Sequence, residues 1–381
     1  MNTTAKYTLK APDGPTPRRP AARRTRTRRT GARRATANRV LRLPGGLAFR
    51  YPGRTAAVVT VLLSACAVVW AVTMFTGTYR IGTGQILDVL LGGGSGTDRF
   101  IVVGQRLPRV CAALLVGAAL GLSGALFQSL SRNPLGSPDV IGFTTGSTSG
   151  ALVVLLAGGA AAGVGVGAGS VLGGLVTAAA VYGFTATRGV SGNRLVLAGI
   201  AVGAMLASVN DYLITRADLE SAESAKAWTF GSLNAVSWPQ VTPLALALPL
   251  LAVAALAVGR PLRLMEMGDD TAGALGVNIA RVRAAGLLLG VALAGTAIAV
   301  AGPIGFLALA APQLARRVTR SPGAPIGAAL VTGALLLATA DLLAQRLLSP
   351  FQIPVGLVTG ALGGVHLLWL LSRERSGTRP R

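Results

Sequence analysis

Residues 259–283, GRPLRLMEMGDDTAGALGVNIARVR, form a charged island between two long apolar runs. Asp269 and Asp270 stand where a helix would begin, and acids suit the positive end of a helix dipole. Gly276 suits a stop after about two turns. Asn278 suits the cap of a second short helix, leading through Arg281 and Arg283 into the next apolar run. The spacing predicts two short helices at a membrane surface, their polar faces open to a soluble partner. A solvated loop between two spans is the plainer alternative, and spacing alone does not choose.

The flanking runs are two of many. The 381 residues are 51% hydrophobic and only 13% charged, whereas a soluble domain carries about a quarter charged residues. Apolar stretches of ~18 or more residues indicate a polytopic membrane protein. The 51 glycines suit helices that pack closely in lipid. The alternation of a transmembrane barrel is absent, so the expected fold is an all-α bundle. Ten candidate spans lie at roughly 55–76, 110–130, 140–158, 166–187, 195–215, 241–259, 284–302, 304–318, 325–343 and 353–371. This divides the chain into a basic tail at 1–54, a transmembrane domain at 55–372 and a short basic tail at 373–381.

Charge is unevenly placed. Residues 1–54 hold fifteen Lys/Arg against one acid, Asp13, a net +14 of the chain's +23. This segment has no apolar period and is expected to be disordered. A positive-inside anchor touching anionic lipid headgroups is favoured over nucleic-acid binding. With that tail inside, the Arg-bearing segments 188–194, 260–283, 316–320 and 373–381 fall on the cytoplasmic side, and both termini are cytoplasmic. The first outer loop, 77–109, breaks the bias with Arg80, Arg99, Arg106 and Arg109.

Arg106 and Arg109, stiffened by Pro108, stand at the outer mouth of the second span. They suit either bidentate docking of carboxylates from an outside partner or snorkelling to phosphate headgroups. In SRNPLGSP, 131–138, two prolines and a glycine forbid a continuous helix. Irregular backbone at membrane depth lies against protein or a water-filled cavity, so this segment is either a pathway wall near its inner end or an ordinary turn. Asn210, Asp211 and Asp341 sit near outer ends of spans, with no intramembrane ladder of acids. A short outer helix is expected at 220–230, with Trp238 as an interfacial anchor. Cys66 and Cys111 lie in apolar runs and suggest neither disulfide nor metal site. His366, alone in the last span, suits packing better than ligation. There is no Walker A loop, no nucleophile triad and no facing carboxylate pair, so no catalytic residue is assigned. Any ATP hydrolysis must reside on another chain.

Several motifs together resemble a known family. RLPR at 106–109, GAALGLSGALFQSLSRNPLGSPDVIG at 117–142, GDDTAGALGVNIARVR at 268–283, GPIGFLALAAPQLARR at 302–317, and ADLLAQR with QIPVGLVTGALGG between 340 and 364 look like permease subunits of type II ABC importers. That is the FecCD family, which carries iron-siderophores, haem and vitamin B12. The likeness spans about 55–372 in order. It implies ten helices per subunit, a pathway between two permeases, two cytoplasmic ATPases that use ATP and Mg, and an extracytoplasmic substrate-binding lipoprotein in a bacterial cytoplasmic membrane. This chain itself would bind no cofactor. The second permease is expected to be a related but different chain.

By this resemblance Asp269, Asp270, Thr271, Leu275, Gly276, Val277, Asn278, Arg281 and Arg283 would couple to the ATPase. Arg106, Arg109 and Arg346 would meet glutamates of the binding protein. Asn133, Pro134 and Leu135, with Ser191, Gly192 and Asn193, would lie near the cytoplasmic gate. Two departures stand out. Gln313 follows Pro312 where the family often has His, and Gln345 stands four residues after Asp341 where it often has Arg, with Arg346 next. PQLARR and ADLLAQR look more like siderophore permeases of the ferric-enterobactin kind than like the vitamin B12 permease. The competing classes are a stand-alone ion-coupled carrier, which would work without ATP, and a membrane-anchored scaffold acting through 1–54.

Overall fold

The computed structural model describes residues 38–42, 48–77, 79–158, 163–186, 192–321, 323, 325–348 and 351–376. Helices dominate. Among the described residues, seven helices are long and apolar enough to cross a membrane. They are α1 (Gly53–Phe75), α4 (Leu107–Ser131), α6 (Gly163–Ala186), α7 (Gly192–Arg216), α9 (Trp238–Met265), α11 (Ile279–Ala301) and α13 (Ile326–Arg346). The other three expected spans are also helical, with shorter apolar stretches. These are α5 (Phe143–Gly158), α12 (Leu307–Thr319) and α14 (Val355–Ser376). The apolar part of α14 ends at Trp369. At 13 residues, α12 is about 20 Å long, too short to cross a ~30 Å hydrocarbon core alone.

The bundle is built around α4. Of its most apolar window 83% is buried, against 17% for α1. A helix apolar on all sides belongs at a centre, and small residues let others come close. A Cβ at Gly121 would stand 2.3 Å from the Ala329 carbonyl oxygen of α13, and one at Gly124 only 1.7 Å from that of Ala308 in α12. Helices α9 and α11 close the remaining sides of α4. A second unit pairs α5 with α6, and α6 leans on α11.

The outer loop expected at 77–109 is instead mostly helical. It comprises α2 (Thr83–Leu90), α3 (Gly96–Arg99) and a π-helical segment, Phe100–Arg106, that runs directly into α4. Met74, Ile81, Ile86, Val89, Val102 and Val110 form a separate small core there. The outer helix expected at 220–230 is α8 (Leu219–Thr229), capped by Asp218, whose side chain accepts from the Ser221 N–H. Within the segment read as a disordered tail, strands β1 (Asn38–Arg42) and β2 (Ala48–Pro52) pair antiparallel. At the start of α1, Arg54 donates to the Val318 carbonyl at 3.1 Å, satisfying an end of α12.

Candidate functional site

Asp269 and Asp270 open α10 (Asp269–Ala274), a helix of six residues. Gly276 follows at φ +84, a conformation that costs a side chain and suits glycine. Asn278 caps the next helix, its side chain accepting from the Arg281 N–H at 3.1 Å. That helix is not short. It is α11 itself, running unbroken from Ile279 into the bundle, because nothing after Asn278 stops it. The step between α10 and α11 leaves Asp270, Thr271, Leu275, Gly276, Asn278 and Arg281 exposed. Leu275, 59% exposed, is an apolar knob on this polar surface. Val277 turns inward and packs on the core.

Asp269 and Arg283 differ from their neighbours. Arg283 donates to Asp269 Oδ2 at 2.9 Å, and Arg132 donates to Oδ1 of the same carboxylate. Arg132 is the C-cap of α4, with φ 51 in the left-handed region. Thus a residue after the second expected span reaches a helix 137 positions away. Partial burial would raise the Asp269 carboxyl, but the hydrogen bonds and charges of Arg283 and Arg132 outweigh it and hold it below the usual carboxylate range. A carboxyl with a lowered folded value adds stability above its unfolded value and loses it as pH falls through the folded one. The expected result is an Arg132–Asp269 contact that persists through neutral and mildly acid pH and opens only below the ordinary carboxylate range. Carboxyl NMR shifts of the detergent-solubilised protein check this.

The adjoining loop, 132–142, is held from several sides. Asn133 Oδ1 accepts from the Leu135 N–H at 2.9 Å, an Asx turn. Gln313 donates to the Pro134 carbonyl at 2.7 Å, and Gln128 to that of Leu309 at 3.1 Å. Gln313, the departure from the family pattern, therefore ties α12 to the loop. Ser129 donates to Glu266 Oε1 at 2.8 Å. Asp139, a further part-buried acid in this loop, accepts from Thr144 Oγ1 at 2.6 Å. Asn133, Pro134 and Leu135 are exposed. Gly192 and Asn193 begin α7, and Ser191 lies outside the described residues.

The arginines read as outer divide. Arg109 grips Asp341 in a bidentate pair, Nη2–Oδ1 2.9 Å and Nε–Oδ2 3.1 Å. It also donates to Gln352 Oε1 at 2.8 Å. Asp341 is 1% exposed, and Gln345, the other departure, donates to its Oδ2 at 2.7 Å. Arg109 is therefore occupied within the chain, and an acidic partner would have to compete with Asp341 for it. Arg106 donates to the backbone carbonyls of Met74 and Tyr79, joining the end of α1 to the outer cap. Arg346, at the end of α13, is exposed. Between α8 and the outer ends of α5, α6 and α11 lies an open cavity of about 760 Å³, with Asp218, Glu220, Trp228 and Asn234 among its lining residues.

Residues 64–373 match the profile of the FecCD transport family. The chain belongs to that family. The relatives below match 71–84% of this chain. The ferric enterobactin transport system permease FepG of Escherichia coli K12 is 45% identical, over 82% of this chain and 94% of FepG. The achromobactin transport system permease CbrC of Dickeya dadantii is 35% identical, over 84% and 93%. The hemin transport system permease HmuU of Yersinia pestis is 37% identical, over 71% and 82%. A solved metal-chelate type ABC transporter in an inward-facing conformation superposes with a TM-score of 0.75 at 25% identity, covering 84% of this chain and 99% of its own. This FecCD chain is thus a multi-pass ABC importer permease of all-α fold, as its motifs imply.

Proposed function

We propose that the chain is the membrane-spanning subunit of an ATP-driven importer that carries a ferric siderophore across the bacterial cytoplasmic membrane. One observation carries the cargo assignment: the 45% identity, along almost the entire transmembrane domain, to a ferric enterobactin permease. The exposed α10–α11 step supports the energy source, because it offers a soluble partner an apolar knob, Leu275, ringed by Asp270, Asn278 and Arg281. Interfaces of this kind centre on one buried anchor with a polar rim.

In this reading a second, related permease completes the pathway. Two cytoplasmic ATPases, using ATP and Mg, seat the α10–α11 step, and a substrate-binding lipoprotein delivers the chelate from outside. Both tails lie on the cytoplasmic side, where the basic 1–54 segment meets anionic lipid. The binding protein docks on the outer arginines, with Arg346 as the exposed candidate. ATP binding draws the ATPases together, the step moves with them, and the 131–138 segment and the start of α7 shift as the inner gate. The chain contributes shape and motion and leaves nucleotide chemistry to its partner.

The test is uptake of radio-iron siderophore by the reconstituted complex, with haem and cobalamin as competitors. Uptake should require ATP and vanish when the ATPase is inactivated. Transport by this chain alone, abolished by collapsing an ion gradient, would establish a secondary carrier instead. Arg281→Glu should reduce uptake and ATPase stimulation roughly tenfold, the effect of losing an interface contact of about 1–2 kcal/mol. Binding-protein affinity for the ligand should stay unchanged. Retained uptake with residues 268–283 scrambled would remove the coupling assignment.

A further inference from the structure

At the start of α10, Asp269 is part-exposed and reaches the end of α4 beside the 131–138 loop. Its two oxygens are taken by guanidinium groups from two other elements, Arg132 at the end of α4 and Arg283 in the first turns of α11. Arg132 holds a left-handed backbone that most side chains avoid. Such conformations persist where the surroundings over-determine them. Here Gln313, Gln128 and Ser129 fix the neighbouring backbone or side chains to α12 and α9.

We propose that the Arg132–Asp269–Arg283 contact is the joint through which movement of the α10–α11 step reaches the 131–138 loop, with Asp269 a positioning residue. The inference rests on the coupling reading above and assigns it a path. An exposed ion pair contributes little stability by itself. The joint therefore acts by linking elements. α10 has no covalent neighbour in α4; the Asp269 carboxylate spans the gap, beside the Ser129–Glu266 hydrogen bond that ties the last turns of α4 to the end of α9. One side of the loop follows α10 through Asp269, and the other is anchored to α12 through Pro134. Displacement of α10 relative to α12 therefore shears residues 132–134, beside exposed Asn133 and Leu135.

The test uses the full complex with both ATPases and the binding protein. Arg132→Gly keeps the left-handed backbone at no steric cost and removes the guanidinium. The complex should assemble and hydrolyse ATP basally as before, while cargo carried per ATP falls about tenfold, within the range by which linking residues alter coupling. Arg132→Lys should recover most of it. Asp269→Asn should reproduce the loss. A flexible thiol cross-linker between Arg132→Cys and Asp269→Cys, with Cys66 and Cys111 replaced by alanine, should restore coupling, because the joint moves as one body. Unchanged transport per ATP in Arg132→Gly overturns the proposal. So does loss of the ATPases from the complex in Asp269→Asn, which would place Asp269 in the ATPase contact. If the wild-type complex shows no ATP-dependent uptake, the importer reading fails and the joint with it; if the wild type transports and Arg132→Gly transports equally well per ATP, the joint alone fails.

Discussion

Asp341→Ala should destabilise the permease by about 3–5 kcal/mol, the cost of leaving a buried charge without its partner. The carboxylate is almost fully buried, and its pair with Arg109 joins α4 to α13 at their outer ends. Arg109 retains only Gln352 when Asp341 is lost. The pair itself is a weak source of stability, because desolvating both charges offsets much of their attraction. The double variant Arg109→Met with Asp341→Leu should therefore recover most of the loss. Thermal unfolding in detergent, followed by tryptophan fluorescence, checks both. A single variant that unfolds like the wild type would show that the contact is water-accessible and not a buried lock. The same comparison bears on docking: if the double variant still binds the extracytoplasmic protein, Arg109 is structural and Arg346 carries the outer contact.

Gly124→Val should prevent the bundle from assembling. The added Cβ would stand 1.7 Å from the Ala308 carbonyl oxygen, a backbone atom that cannot rotate away. Overpacking a core ordinarily costs about 1–3 kcal/mol. Here α12 must separate from α4 along its length, breaking the Gln128–Leu309 hydrogen bond and displacing the 132–142 loop that Gln313 holds. Gly183→Ala supplies the control, because a Cβ there meets nothing within 4 Å and alanine favours the helix. Monodisperse elution from size exclusion is expected for Gly183→Ala and aggregation for Gly124→Val. Normal folding of the latter would mean that the α4–α12 contact is looser than described.

Much of this molecule is local and was therefore legible. Asp269 and Asp270 start a helix, Gly276 ends one and Asn278 caps one, because each acts on backbone groups within a turn. The apolar runs announced their helices, because a spanning segment must satisfy its own hydrogen bonds. The motifs carried the family, since they recur in order along the chain. The break at 131–138 is legible, its two prolines and a glycine being incompatible with continuous helix. The second short helix after Asn278 was misjudged, because a cap marks where a helix begins and says nothing of its length.

The contacts that give the site its arrangement were not legible. Arg109 and Asp341 are 232 residues apart, and Arg132 and Asp269 137. An arginine beside a span reads equally as a docking group, a lipid ligand or an internal partner until the chain is folded. Hydropathy alone could not separate α1, mostly exposed on this chain, from α4, mostly buried, because lipid tails and apolar side chains are equivalent neighbours by that measure. Sequence by itself thus determined that this is a helical membrane bundle with a charged step on one face. Only tertiary structure decided which helix is the centre and which arginines are spent inside the chain. Close packing and ion pairing depend on distances between residues that the linear chain leaves far apart.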